Sequence, residues 1–312
     1  MRTLHPVLVP WLTHFNDAVE RSVAAGFKAT PTNAREWLAG CTRLYVTNIP
    51  VVPCVQDDLV PAPEYRVPIR IYHPSPQEDL PVLVYFHGGG HMCGSITVYD
   101  PICRKIALAA KHIVVSADYR LAPENPYPAG LHDALGVVHN LWPVLDSRGI
   151  RHTRQLSLGG DSGGGALAAS VAGIVQHEPG IRIKRQFLIY PSLDYTLSLP
   201  SVEENAVGFL LEKDKVIWYF ENYFQHGKNW KEASPLFWEF TSRLPESLII
   251  TAEFCPLRDE GRLYAQKLRN AGIRVEELKF DTMIHAFLNM ENLVPEACGR
   301  LYSAIGAFLQ RP

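Results

Sequence analysis

The residues most able to do chemistry are one serine, one histidine and two glycine-rich turns. Gly160-Asp161-Ser162-Gly163-Gly164 fits the spacing G-x-S-x-G, in which small neighbours let a sharp turn push a serine hydroxyl out above a sheet. A serine hydroxyl is a weak nucleophile at neutral pH, so it needs a base that takes its proton and later delivers it to a leaving group. Twelve histidines compete for that role. His285 is singled out by order, because it follows the serine and stands between the last predicted strand and the last predicted helix. Acyl transfer also builds negative charge on a carbonyl oxygen, which fixed backbone amides stabilise. His87-Gly88-Gly89-Gly90 follows a predicted strand and can supply such amides. Gly88 and Gly89 are the expected donors, joined by Gly163 after the nucleophile, with His87 and Gly90 supporting the loop. Loss of one donor is expected to cost about 2.7–4 kcal/mol of transition-state stabilisation.

Rival chemistries lack their residues. No lysine follows the glycines at phosphate-loop spacing, and Gly160, Ser162 and Gly165 do not form G-x-G-x-x-G. No His, Cys or acidic set has zinc spacing. The expectation is an enzyme with no cofactor and no metal. The chain of 312 residues has a net charge of -2, with 47% hydrophobic and 20% charged residues. That balance recruits neither nucleic acid nor an anionic membrane. No 18-residue uncharged apolar run exists, so stable membrane insertion is not expected. The first ten residues do not read as a secretory signal. Six scattered cysteines without a CxxC pair fit a reducing compartment, and a cytoplasmic location is expected.

The elements around these motifs alternate. Pro81 to Phe86 is a continuous apolar run, the pattern of a strand buried on both faces of a parallel sheet. Strands are predicted at 44–52, 67–72, 113–117, 155–158, 185–190, 247–252 and 274–280. Helices are predicted at 100–110, 131–141, 166–175, 260–271 and 296–309. Repeated strand–helix units predict a mostly parallel central sheet with helices on both faces, in one α/β domain over 1–312. Two stretches break the alternation. Near the start, Trp11, Phe15, Val19, Val23 and Phe27 recur every four positions, so they share one helix face that must cover something apolar. From Leu193 to Ser234 aromatic residues cluster, which reads as an inserted helical segment. Elements at about 1–40 and 195–235 are expected to form a helical cap.

Together these motifs resemble the hormone-sensitive-lipase-like esterases of the α/β-hydrolase superfamily. The likeness runs from about residue 40 to the C-terminus. It is carried by His87-Gly88-Gly89-Gly90, by Asp118-Tyr119-Arg120-Leu121-Ala122-Pro123-Glu124 and by the serine turn, where Gly163 stands in place of a common alanine. Cys255-Pro256-Leu257-Arg258-Asp259-Glu260-Gly261 and His285-Ala286-Phe287 complete it. The resemblance implies an α/β-hydrolase fold, hydrolysis of small uncharged acyl esters without a cofactor, and a homodimer in many members. It also implies a catalytic aspartate where this chain has Cys255. Three accounts follow: Cys255 occupies the orienting position of a slower triad with Ser162 and His285; Glu253, Asp259 or Asp281 substitutes for the acid; or catalysis has given way to binding of a small apolar ligand.

Overall fold

The computed structural model describes residues 2–225, 227 and 229–312, so positions 1, 226 and 228 of the two expected cap segments lie outside the described residues. Eight strands form one sheet in the order β1-β2-β4-β3-β5-β6-β7-β8. They are β1 Cys54–Pro61, β2 Arg66–His73, β3 Leu80–Phe86, β4 Ile113–Ala117, β5 His152–Asp161, β6 Ile183–Ile189, β7 Glu246–Phe254 and β8 Val275–Ile284. β2 pairs antiparallel with both β1 and β4, and every pairing from β4 through to β8 is parallel. Parallel neighbours need crossovers, and helices provide them.

The helices are α1 Leu8–Ala24, α2 Pro31–Tyr45, α3 Asp100–Ala110, α4 Ala129–Ser147, α5 Gly163–Val175, α6 Ser201–Glu204, α7 Lys213–Tyr223, α8 Trp230–Ala233, α9 Arg258–Asn270 and α10 Pro295–Leu309. Strand residues alternate between the sheet's faces. Leu83 and Tyr85 of β3 therefore join a core with Ile102 and Ile106 of α3 and Leu301 and Ile305 of α10. Val82, Val84 and Phe86 join a second core with Val137 of α4, Val171 of α5 and Leu268 of α9. Burial on both faces explains why β3 reads as an unbroken apolar run.

Two expectations are corrected here. Residues 44–52 do not form a strand: α2 runs to Tyr45, and the edge strand is β1 at Cys54–Pro61. The helix wins because Thr30 and Asn33 make a reciprocal cap at its start and Pro31 occupies its first turn. β1 was hidden because an edge strand carries polar residues such as Asp57 and Asp58. The expected stripe on α1 also divides. Trp11 and Phe15 pack against the core, while Val19 and Val23 remain 44% and 58% exposed and Phe27 lies beyond the helix end at 52%. Among the described residues, no helix is long and apolar enough to cross a membrane.

The carboxyl ends of β3, β5, β7 and β8 point the same way and lead into His87, Ser162, Cys255 and His285 respectively. Open α/β sheets bind ligands at this edge.

Candidate active site

β5 delivers Ser162 into a tight turn at the start of α5. Its φ of 53° and ψ of -121° place a non-glycine residue where L side chains are strained. The surroundings over-determine that conformation. Ser162 N–H donates to the Ile189 carbonyl at 2.8 Å, and the Ser162 carbonyl accepts from Ser192 at 3.2 Å and Ala166 at 3.1 Å. The turn tolerates no bulk behind it: a Cβ on Gly164 would lie 2.0 Å from the Phe86 carbonyl oxygen. The hydroxyl faces a cavity and sits above the amino end of α5, where partial positive charge favours an anion.

His285 follows β8 and meets this serine. Its Nε2 lies 3.0 Å from Ser162 Oγ, and its Nδ1 lies 3.1 Å from Cys255 Sγ. Burial lowers its pKa to about 3, with the charge of Lys215 adding to the effect. Cys255 is fully buried, which pushes its thiol well above the ordinary range. Its sulfur also accepts the Leu257 N–H at 3.3 Å. The three candidate acids lie elsewhere. Glu253 is bound by Arg258 at 2.8 Å and by Arg2 and Arg262 at 2.9 Å. Asp259 accepts from Arg258 and from the Ser201 amide, and Asp281 is exposed. Among the described residues, no carboxylate hydrogen-bonds to His285.

The glycine loop corrects one further expectation. Gly88 N–H donates to Asp161 Oδ1 at 2.7 Å, so that amide is spent inside the protein and Gly88 supports the loop. Gly89 and Gly90 line the cavity instead, together with Gly163 and Ser162. Their φ values of 119° and 62° suit glycine. Gly163 faces them closely, since a Cβ there would lie 3.0 Å from the His91 amide nitrogen and 3.3 Å from that of Gly90. Spacing alone cannot tell which amides of a triple-glycine run point inward.

Asp161 is a residue that sequence reasoning passed over as a variable position. It accepts from Tyr85 OH at 2.8 Å and Tyr99 OH at 3.0 Å as well as from Gly88. Burial raises its pKa to about 6, against the lowering effect of those bonds. The available signal was a carboxylate at the end of β5, directly before the serine. His87 is wedged between Tyr119 and Tyr99, with ring centroids 4.6 and 5.4 Å away, and its Nδ1 lies 2.9 Å from the Gly88 carbonyl. These three contacts hold the loop rather than face a ligand. Arg35 of α2 donates to the Met92 and Ala122 carbonyls at 2.8 Å each. Ala122 N–H in turn holds the His91 carbonyl at 2.9 Å.

The cavity measures about 70 Å³ and is walled by Trp37 and Leu38 of α2, by Leu210 and Leu211, and by Val216 and Phe220 of α7. Lys215, also overlooked in the sequence, reaches it from α7. Among the described residues, no cluster of three or more His, Cys, Asp or Glu side chains could hold a metal ion.

A mostly parallel sheet with a strained serine after one strand, a histidine after the last and amides between them defines the α/β-hydrolase class. The sequence profile of the α/β hydrolase fold matches residues 83–289. The chain is 39% identical to the carboxylesterase NlhH of Mycobacterium tuberculosis over 249 residues, 77% of each protein. It is 32% identical to an ethyl acetate hydrolase of Pseudomonas putida, covering 82% of this chain and 83% of that one. A hyperthermophilic esterase from the archaeon Pyrobaculum calidifontis superposes with a TM-score of 0.87 at 32% identity, over 99% of this chain and 98% of the other. The chain belongs to the hormone-sensitive-lipase-like esterases of the α/β-hydrolase superfamily, and it is a carboxylic ester hydrolase.

Proposed function

We propose that the protein hydrolyses small carboxylic acyl esters through an acyl-enzyme on Ser162, with Cys255 in the orienting position. The observation that carries this reading is the relay from Ser162 Oγ to His285 Nε2 at 3.0 Å and from His285 Nδ1 to Cys255 Sγ at 3.1 Å. His285 Nε2 takes the hydroxyl proton as Ser162 attacks the ester carbonyl. The carbonyl π electrons move to oxygen, where the amides of Gly89, Gly90 and Gly163 receive the charge. As the tetrahedral intermediate collapses, the ester C–O bond breaks and His285 gives its proton to the departing alcohol. Water repeats the sequence at the acyl-serine, releasing the acid and restoring Ser162. The segments around 1–40 and 195–235 act as the cap, since α2 and α7 supply much of the cavity wall.

The thiol makes this relay weaker than one built on a carboxylate. His285 can act as a base only when its proton sits on Nδ1, which requires Cys255 sulfur to accept that hydrogen bond. A thiol that donates to Nδ1 selects the opposite tautomer and leaves Nε2 without a lone pair for the serine proton. Only the first arrangement is productive, so turnover is reduced in proportion to its population. The Leu257 N–H already aimed at the sulfur supports an acceptor role at this position.

Wild-type protein is expected to turn over p-nitrophenyl acetate, and Ser162→Ala to lose at least about 10³-fold of that rate. A serine-reactive phosphonate is expected to label Ser162 in stoichiometric amount. Equal turnover by the two proteins, or no label on Ser162 beside tight binding of a neutral ligand, contradicts the proposal; the latter result favours a binding protein.

A further inference from the structure

The apolar stripe of α1 is only half used by the core. Val19, Val23 and Phe27 stay 44%, 58% and 52% exposed, and large apolar side chains left to water on one face mark a binding surface. With Phe15, Ala34 and Trp218 they line a groove of about 770 Å³ between α1, α2 and α7. This groove and the Ser162 cavity share Trp37, Lys215 and Tyr219 as lining residues. Lys215 Nζ lies 5.0 Å over the Trp37 ring, and among the described residues it makes no ion pair or hydrogen bond. Its four-carbon stem forms part of the wall between the two spaces. Glu212 and Asp214, which also line the groove, offer its ammonium a place to turn towards.

We infer that this groove binds the long apolar chain of an ester whose carbonyl lies in the Ser162 cavity. The inference rests on the esterase reading and narrows it to esters with one short side and one long apolar side. Three observations select that occupant. The catalytic cavity, at about 70 Å³, holds only a few water-sized positions and cannot take a long chain. The groove is roughly ten times larger and adjoins it through shared side chains. Along α1 it follows the face from Phe15 to Val23, about 12 Å at ~1.5 Å per residue, a shape suited to an extended chain. Each methylene that enters it is expected to raise kcat/KM by up to about fourfold.

The test compares ethyl butyrate and ethyl decanoate, kept below micellar concentration, on wild-type protein and on the double variant Val23→Asp/Phe27→Asp. Wild-type protein is expected to favour decanoate by about tenfold or more in kcat/KM, and the double variant to cut the decanoate-to-butyrate ratio by about tenfold, chiefly through KM. No gain from the longer chain in wild type, or an unchanged ratio in the double variant, overturns the inference. An unchanged ratio together with conversion of a dimer to a monomer assigns the face to a second copy of the chain and overturns it too. If neither ester is hydrolysed, the esterase reading fails, and the groove is judged by binding to Ser162→Ala. There, decanoate ester held tighter than butyrate ester and weakened about tenfold by the two aspartates sustains the groove, while equal binding overturns it.

Discussion

In the proposed mechanism Cys255 sets the terms on which His285 acts as a base. The imidazole is buried, has no carboxylate partner among the described residues, and is held near pKa 3 first by burial and then by Lys215. Protonating it during catalysis is therefore costly, yet the resting ring is neutral over the whole physiological range. The acid limb of kcat/KM is expected to fall well below the ordinary imidazole range, leaving the rate level from about pH 5 to pH 7. Initial rates on a neutral ester check this; a half-maximal point near pH 6.5 contradicts it. At this scale much was legible. Ser162 and His285 could be chosen from motif and chain order, and Cys255 from its place before a retained Pro-Leu-Arg-Asp-Glu-Gly run. Whether Glu253, Asp259 or Asp281 replaced it was not legible, because contacts made only in the fold decide where those carboxylates go: Glu253 is held by Arg2 from the start of the chain and by nearby Arg258 and Arg262, Asp259 is paired with Arg258, and Asp281 is exposed. The donor role of Gly88 was misjudged for the same reason: its amide is claimed by Asp161, 73 positions away in the chain.

The elements hold the loop more firmly than their sequence suggested. α2 was read within a helical first 40 residues and its last turn as the beginning of a strand, yet it reaches the glycine loop through Arg35. The guanidinium binds the Met92 and Ala122 carbonyls and pairs with Glu124 on the surface. The carbonyl contacts fix the loop that presents Gly89 and Gly90, whereas the ion pair is half open to water and worth under about 1 kcal/mol. Arg35→Met is expected to lower kcat/KM about tenfold through a displaced loop, and Glu124→Gln to leave it within about twofold. Steady-state kinetics on a short ester separate the two; equal effects contradict a loop-holding role for Arg35. The alternation of apolar strand and amphipathic helix made the parallel part of the sheet readable. The edge was not readable, since β1 is open to water on one side and its acidic residues break the apolar pattern.

Across the whole molecule, two buried groups at the site pull the pH dependence of stability in opposite directions. His285 has a folded pKa depressed to about 3. Its contribution is present above the unfolded value near 6.5 and is lost as pH falls towards 3, because the unfolded chain binds the proton more readily. Asp161 has a folded pKa raised to about 6. Its contribution is full below the unfolded value near 3.9 and is lost as pH rises through 6. His285→Gln is therefore expected to flatten the rise of stability between pH 4 and 6.5, and Asp161→Asn to steepen it. Denaturant unfolding across that window measures both slopes, and changes of the reverse sign contradict the burial argument. The most direct test of the relay is kcat/KM of wild-type protein against Cys255→Asp on one short activated ester. A carboxylate there accepts the Nδ1 proton and stabilises the imidazolium, so a gain of about 10²-fold or more is predicted, up to the ~10⁴ that the orienting aspartate is worth in serine proteases. Equal rates for the two proteins contradict the claim that Cys255 limits His285.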